Sequence, residues 1–149
     1  MAGAATPRSP RLPLTRTPIR FELTFDVAQE DIDRLGHVNN VVYLRWIQDV
    51  AARHWLTTVG EEETRGTVWV VVRHEIDYVQ PAGPGDRVIA RTWVGEARGA
   101  TWDRHTEIVR ASDGQVLARA RSVWCPLDAE TRRPRRLSPE LRAGFYDGS

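Results

Sequence analysis

Apolar and polar residues change their spacing several times along this chain, and each change marks an element. Over Arg20 to Ala28, Phe21, Leu23, Phe25 and Val27 alternate with Arg20, Glu22, Thr24 and Asp26. That period of two predicts a half-buried strand. From Val41 onward the period becomes that of a helix. Tyr43, Ile47, Val50 and His54 line one face, Trp46 and Ala51 widen it, and Arg45, Gln48, Asp49 and Arg53 point away. Asn39 or Asn40 is a sound N-cap, and helical character ends near Thr57-Thr58-Val59-Gly60, giving roughly five turns. The opposite-charge pairs Arg45/Asp49 and Asp49/Arg53 add only about 0.2–0.5 kcal/mol each, so burial of the aromatic stripe is expected to decide this helix.

Strand character follows. Glu61 to Gly66 reads as a polar connection, and the β-branched run Val68 to Val72 leads into alternation of His74, Ile76 and Tyr78 with Arg73, Glu75 and Asp77. Pro81-Ala82-Gly83-Pro84-Gly85-Asp86 is a turn. Arg87 to Val94 resumes as a strand, Gly95 to Gly99 interrupts it, and Thr101 to Ala111 resumes it. Ser112-Asp113-Gly114-Gln115 predicts a two-residue hairpin, which sets Ala118, Ala120 and Ser122 opposite Val109, Glu107 and His105. One sheet face then carries small residues, so a helix can lie close to it. Ser138-Pro139-Glu140-Leu141 has the chemistry of a short capped helix. One strand, one long helix and four long strands predict an α+β domain with an antiparallel sheet of about five strands. Residues 1–18 hold four prolines, three arginines and no acid, so a disordered tail before a single domain at 19–149 is expected. An Arg-rich segment free of acid also suits organelle transit, but its prolines oppose the amphipathic helix that such segments use.

Composition narrows the function. In 149 residues the net charge is +1 with acids and bases interleaved, which offers no footprint for nucleic acid. All 21 basic residues are arginine. Cys125 is the single cysteine, no His/Cys spacing suits zinc, no apolar run is long enough to span a membrane, and no secretion signal opens the chain. A reducing cytoplasm is the expected location, with no metal.

The chemistry gathers just before the long helix, in Glu30-Asp31-Ile32-Asp33-Arg34-Leu35-Gly36-His37-Val38-Asn39-Asn40. A carboxylate here lies near free first-turn N–H groups, which stabilise negative charge. Such an arrangement suits a reaction that passes through an oxyanion. Glu30 and Asp31 read as solvent-facing. Asn39 and Asn40 read as caps first. Tyr43 and Trp46 read as core or as pocket wall. Cys125 has no positioned base nearby, and Gly-x-Ser-x-Gly, His-Glu-x-x-His and phosphate-loop patterns are absent.

Asp31-x-Asp33-x-x-Gly36-His37-Val38-Asn39-Asn40-x-x-Tyr43-Leu44-x-Trp46 resembles the signature of hotdog-fold acyl thioesterases. That 4-hydroxybenzoyl-CoA thioesterase-like group includes bacterial acyl-CoA thioesterases and plant acyl-ACP thioesterases. The likeness runs from about Ile19 to Phe145 and takes in Tyr78-Val79-Gln80-Pro81, Gly85-Asp86 and Thr131-Arg132-Arg133-Pro134. It implies a sheet wrapped around the long helix and hydrolysis of acyl-CoA, or of acyl carrier protein thioesters, without a cofactor. It also implies Asp33 as general base or nucleophile, and a backbone N–H around Asn40 that polarises the carbonyl. His37 belongs to the catalytic set of the acyl-ACP branch. That branch has Asn where this chain has Leu35, so His37 is equally suited to shaping the loop. Gly36, Asn39 and Tyr43 are the substrate-binding candidates beside it. Arg132 and Arg133 are candidates for coenzyme A phosphates, or a solvated turn. The expected assembly is a homodimer or homotetramer that covers the exposed sheet edge. A hotdog dehydratase is the first rival, although such sites resemble Gly-His-Phe-Pro where this chain has Gly36-His37-Val38-Asn39. A non-catalytic acyl-CoA-binding module is the second. The shape of the pocket depends on which of Trp69, Trp93, Trp102 and Trp124 point inward.

Overall fold

A computed structural model describes residues 16–148. Strand β1 (Phe21–Asp26) leads through a single 3-10 turn into helix α1 (Asn40–Thr58). Then come α2 (Glu61–Gly66), β2 (Thr67–Tyr78), β3 (Arg87–Arg98), β4 (Thr101–Arg110), β5 (Val116–Asp128) and α3 (Pro139–Ala143). The strands form one antiparallel sheet in the order β1-β3-β4-β5-β2, so the strands either side of α1 in sequence end up as opposite edges. The chain is an α+β hotdog domain: the sheet curls around α1. Of the expected N-terminal tail, residues 1–15 lie outside the described residues, and Pro18 bridges to Tyr146.

Helix α1 is about 28 Å long at 1.5 Å per residue. Val42, Tyr43, Trp46, Ile47, Val50, Ala51, His54 and Trp55 are its buried face. The near half joins a core with Val88, Ala90, Ile108, Leu117, Ala118 and Ala120. The far half meets a second cluster of Trp55, Val94, Trp102, Leu137 and Phe145.

The β4–β5 register corrects the hairpin expected from Asp113-Gly114. Arg110 N–H donates to the Gln115 carbonyl at 2.8 Å, so the loop is Ala111 to Gly114, and the ladder shifts between Ile108 and Val109. Ala118, Ala120 and Ser122 therefore face Ile108, Thr106 and Arg104. They still form the small-residue floor beneath α1, at 0%, 9% and 0% exposure, but the slip turns Arg104 inward in place of His105. Trp69, Trp102 and Trp124 lie on the inner face, whereas Trp93 stacks on His105 outside with the Arg20 guanidinium over its ring at 4.0 Å.

Three further expectations are corrected. Glu61 to Gly66 is a short helix rather than an irregular connection, its three acids complementing the helix N-terminus. β3 runs on to Arg98, because a bulge between Val94 and Ala97 absorbs Gly95 and the reversal comes at Gly99. Arg45 pairs with Asp31 at 3.3 Å rather than with Asp49.

His54 sits inside the far half at 2% exposure, stacked on Phe21 at 4.9 Å. Burial, with Arg104 beside it, lowers its pKa to about 3. The unfolded chain binds this proton near pH 6.5 and the folded chain does not, so stability is full above that pH and falls as pH drops toward 3. Acidification from pH 6.5 to 5 is expected to cost about 2 kcal/mol through this group, at roughly 1.4 kcal/mol per pH unit. Urea unfolding across that range should show the loss, and His54→Gln should flatten it.

Candidate active site

Two backbone devices hold the loop that carries Asp33. Ile32 and Val38 form an isolated bridge, Asp33 N–H donates to the His37 carbonyl at 2.8 Å, and Gly36 N–H donates to the Asp33 carbonyl at 3.0 Å. Closing so small a loop puts Gly36 at φ +84°, a conformation that a side chain disfavours. At the other end, Val38 N–H donates to the Ala82 carbonyl at 2.9 Å, and Ala82 N–H donates to the Tyr43 hydroxyl at 2.9 Å. Tyr43 is 2% exposed and burial raises its pKa. It is a strut that ties the loop, the turn after β2 and α1 together, as well as part of the cleft wall.

Asp33 is half-buried. Its Oδ1 accepts from Leu35 N–H at 2.9 Å and, more weakly, from His37 N–H at 3.4 Å. Among the described residues Oδ2 has no partner. The carboxylate is thus fixed through one oxygen and free at the other.

Asn39 is the N-cap of α1: its side chain accepts from Val41 N–H at 3.0 Å, and its own N–H donates to the Asp31 carbonyl at 2.8 Å. Val42 N–H bonds to the Asn39 carbonyl at 2.9 Å. That leaves the Asn40 N–H as the first-turn donor with no acceptor among the described residues, at the positive end of the helix dipole.

Asp33, His37, Asn39, Asn40 and Tyr43 converge on one cleft of about 350 Å³, closed on its far side by Tyr78, Val79, Gln80 and Pro81. The cleft is thus lined by a residue with an uncommitted carboxylate oxygen and by the residue that opens the helix, an arrangement that can activate water and stabilise an oxyanion. His37 is exposed at its rim, and Gly36 shapes the loop without lining the cleft.

Asp31 is not solvent-facing. At 3% exposure its carboxylate accepts from Ala28 N–H at 2.9 Å and from Arg45 at 3.3 Å. It anchors the 3-10 turn before the loop and is absent from the cleft. Arg132 and Arg133 are exposed on the turn after β5, at the end of the sheet where Asp128 pairs with Thr67, so they do not join Asp33 within one chain. Among the described residues no three of His, Cys, Asp and Glu gather so as to hold a metal ion. No helix among them is long and apolar enough to cross a membrane.

Tyr78 escapes sequence reasoning as a site residue. Its hydroxyl donates to the Asn40 carbonyl at 3.4 Å, its ring meets Tyr43 edge-on at 5.4 Å, and burial raises its pKa. The available signal is a strand ending in an aromatic residue shortly before a proline turn.

A family model described as the thioesterase-like superfamily matches residues 27–145. This chain belongs to that superfamily. A chloroplastic acyl-[acyl-carrier-protein] hydrolase of Cuphea viscosissima is 32% identical over 141 residues, covering 87% of this chain and 34% of its own length. The chain spans about a third of the curated relatives it matches. Among solved structures, a thioesterase of Thermus thermophilus complexed with coenzyme A and zinc has TM-score 0.72 at 26% identity, covering 84% of this chain and 90% of that one. Slr0204 of Synechocystis, a 1,4-dihydroxy-2-naphthoyl-CoA thioesterase, has TM-score 0.71 at 21% identity, covering 85% and 95%, a likeness of fold alone.

Proposed function

We propose that this protein hydrolyses acyl thioesters, of coenzyme A first and of acyl carrier protein second, at the Asp33 cleft. Asp33 and Asn40 line one cleft, and among the described residues the Asp33 Oδ2 and the Asn40 N–H have no partner; this carries the reading. The thioester carbonyl oxygen takes the Asn40 N–H as it becomes an oxyanion. Asp33 either removes a proton from the attacking water or attacks the carbonyl itself, forming an anhydride that water then opens. In both routes the C–S bond breaks, the thiol leaves with a proton, and the acyl group leaves as a carboxylate. The family supports the reaction class, and the coenzyme A bound in the Thermus relative supports the carrier.

The assembly follows from the two edges. β1 carries charged residues, Asp26 and Glu22, paired with Arg87 and Arg91 of β3, whereas β2 exposes Val70, Val71 and Val72 in succession. Edge-to-edge pairing of β2 with a second copy covers that patch. Antiparallel pairing brings the Thr67 end of one β2 beside the Tyr78 end of the other, so the Arg132–Arg133 turn approaches the partner's cleft, where guanidinium groups suit the phosphates of coenzyme A. A homodimer is therefore the unit of activity, with the cytoplasm as its place of work.

Thiol release from a panel of thioesters running from acetyl-CoA to palmitoyl-CoA, with benzoyl-CoA included, tests this. The expected result is turnover of at least one member, by a dimer or larger in light scattering at micromolar concentration. Tight binding without thiol release would make the protein an acyl-CoA-binding module, and loss of the enoyl chromophore of crotonyl-CoA without thiol release would make it a hydratase. A monomer would remove the β2 interface.

A further inference from the structure

A second cavity, of about 430 Å³, lies under the far half of α1 and shares no lining residue with the Asp33 cleft. Trp55, Trp69, Trp102 and Trp124 give it apolar walls, and Arg104 lies among them. A buried guanidinium is ordinarily closed by a carboxylate, because an uncompensated charge away from water is costly. Arg104, 8% exposed, has no acid partner among the described residues. Its Nη1 donates to His54 Nδ1 at 2.9 Å and to Thr92 Oγ1 at 3.1 Å, and its Nε and Nη2 have no acceptor there. Both acceptors are neutral, since burial holds His54 uncharged at neutral pH. Burial also draws the pKa of Arg104 down to about 10, which leaves it charged at neutral pH.

The neighbouring acids do not compensate. Asp103 engages Arg121 at 3.0 Å, with Arg98 at 3.8 Å, and Asp49 stands on the exposed side of α1 at the cavity's mouth. The walls therefore combine a large apolar surface with a fixed positive charge that no acid among the described residues closes. An anion with an apolar body complements both.

We propose that this cavity binds an amphipathic carboxylate, with the carboxylate on Arg104 and the hydrocarbon among the four tryptophans. Such a group arrives either as a free acid or as the far end of a carboxylate-terminated acyl group still on its thioester. The second source rests on the hydrolase reading; the binding itself does not.

Octanoate and octanol share a hydrocarbon chain and differ in charge, so titrating each into the full-length protein, read by tryptophan fluorescence and calorimetry, isolates the role of Arg104. Octanoate is expected to bind at least about tenfold more tightly than octanol, the usual scale of a hydrogen bond to a charged group, and Arg104→Gln to erase the difference. Ala52→Phe fills the mouth from an exposed helix position and should weaken both, which keeps the test decisive should the Arg104 variant fail to fold. Equal affinities in the parent protein, unchanged octanoate affinity in Ala52→Phe, or no binding at millimolar concentration would each overturn the proposal. Thiol release from hexadecanedioyl-CoA against palmitoyl-CoA then separates the sources, because fourteen residues of α1, about 21 Å, part Asn40 from His54 and only a long chain reaches Arg104 from the Asp33 cleft. A preference for hexadecanedioyl-CoA that Arg104→Gln abolishes assigns the site to the acyl group, and no preference assigns it to free acid. Failure to hydrolyse either thioester would count against the hydrolase reading and leave the octanoate result standing.

Discussion

Asp33→Asn is expected to lower thioester turnover at least about a hundredfold, the lower bound for loss of a positioned base, while leaving the melting temperature unchanged. The amide oxygen of Asn can keep the 2.9 Å bond from Leu35 N–H and the weaker one from His37 N–H, so the loop retains its shape. What disappears is the charge on Oδ2, because an amide nitrogen neither accepts a proton from water nor attacks a carbonyl. Substrate binding is expected to persist, since the cleft walls and the Asn40 N–H are untouched, so the loss should appear in kcat far more than in KM. Parallel thiol-release kinetics and thermal melts on parent and variant make the comparison. Turnover within a factor of a few of the parent would remove Asp33 from the mechanism.

The largest expected effect on stability is Trp46→Ala, at about 3–5 kcal/mol, the range for removing a fully buried aromatic side chain. Trp46 is 1% exposed, stacks on Phe25 at 5.9 Å and meets Tyr43 edge-on at 5.2 Å. It therefore links α1 to edge strand β1 as well as to the strut that holds the Asp33 loop. Against a typical domain stability of about 5–15 kcal/mol, that loss is a large share. Urea unfolding of both proteins gives the difference, and a loss under about 1 kcal/mol would mean that the near half of the core is not packed as described.

Much of this architecture is legible in the sequence because the strongest signals are periodic. The stripe from Tyr43 to His54 can satisfy only a helix, and Asn39 caps it because a short amide reaches the Val41 N–H. The failures come where a single residue of offset or a distant partner decides the outcome. The Asp113-Gly114 pair suits a tight turn, but the four-residue loop and its bulge move the ladder by one, and one place is enough to exchange His105 for Arg104 on the inner face. Local spacing assigns Arg45 to Asp49, because helix neighbours are the only partners it reveals. Asp31, fourteen residues away, is reached only after the chain has folded back on α1. Glu61 to Gly66 lacks any apolar period, and its helix is held at Arg135, whose guanidinium bonds to Glu63 and to the Gly66 carbonyl. The cleft is legible in part. The motif names the loop and the helix start, whereas Tyr78 to Pro81 enter through the path of the sheet.

The opposite fates of Asp31 and Asp33 separate two kinds of constraint within three positions of the chain. Asp31 is locked between Ala28 and Arg45, so a substitution there first harms the yield of properly folded protein. Asp33 leaves an oxygen uncommitted, so a substitution there is expected to spare the yield of folded protein and to be felt in turnover. Side by side, expression yield read at one position and rate read at the other would sort the two constraints within three codons.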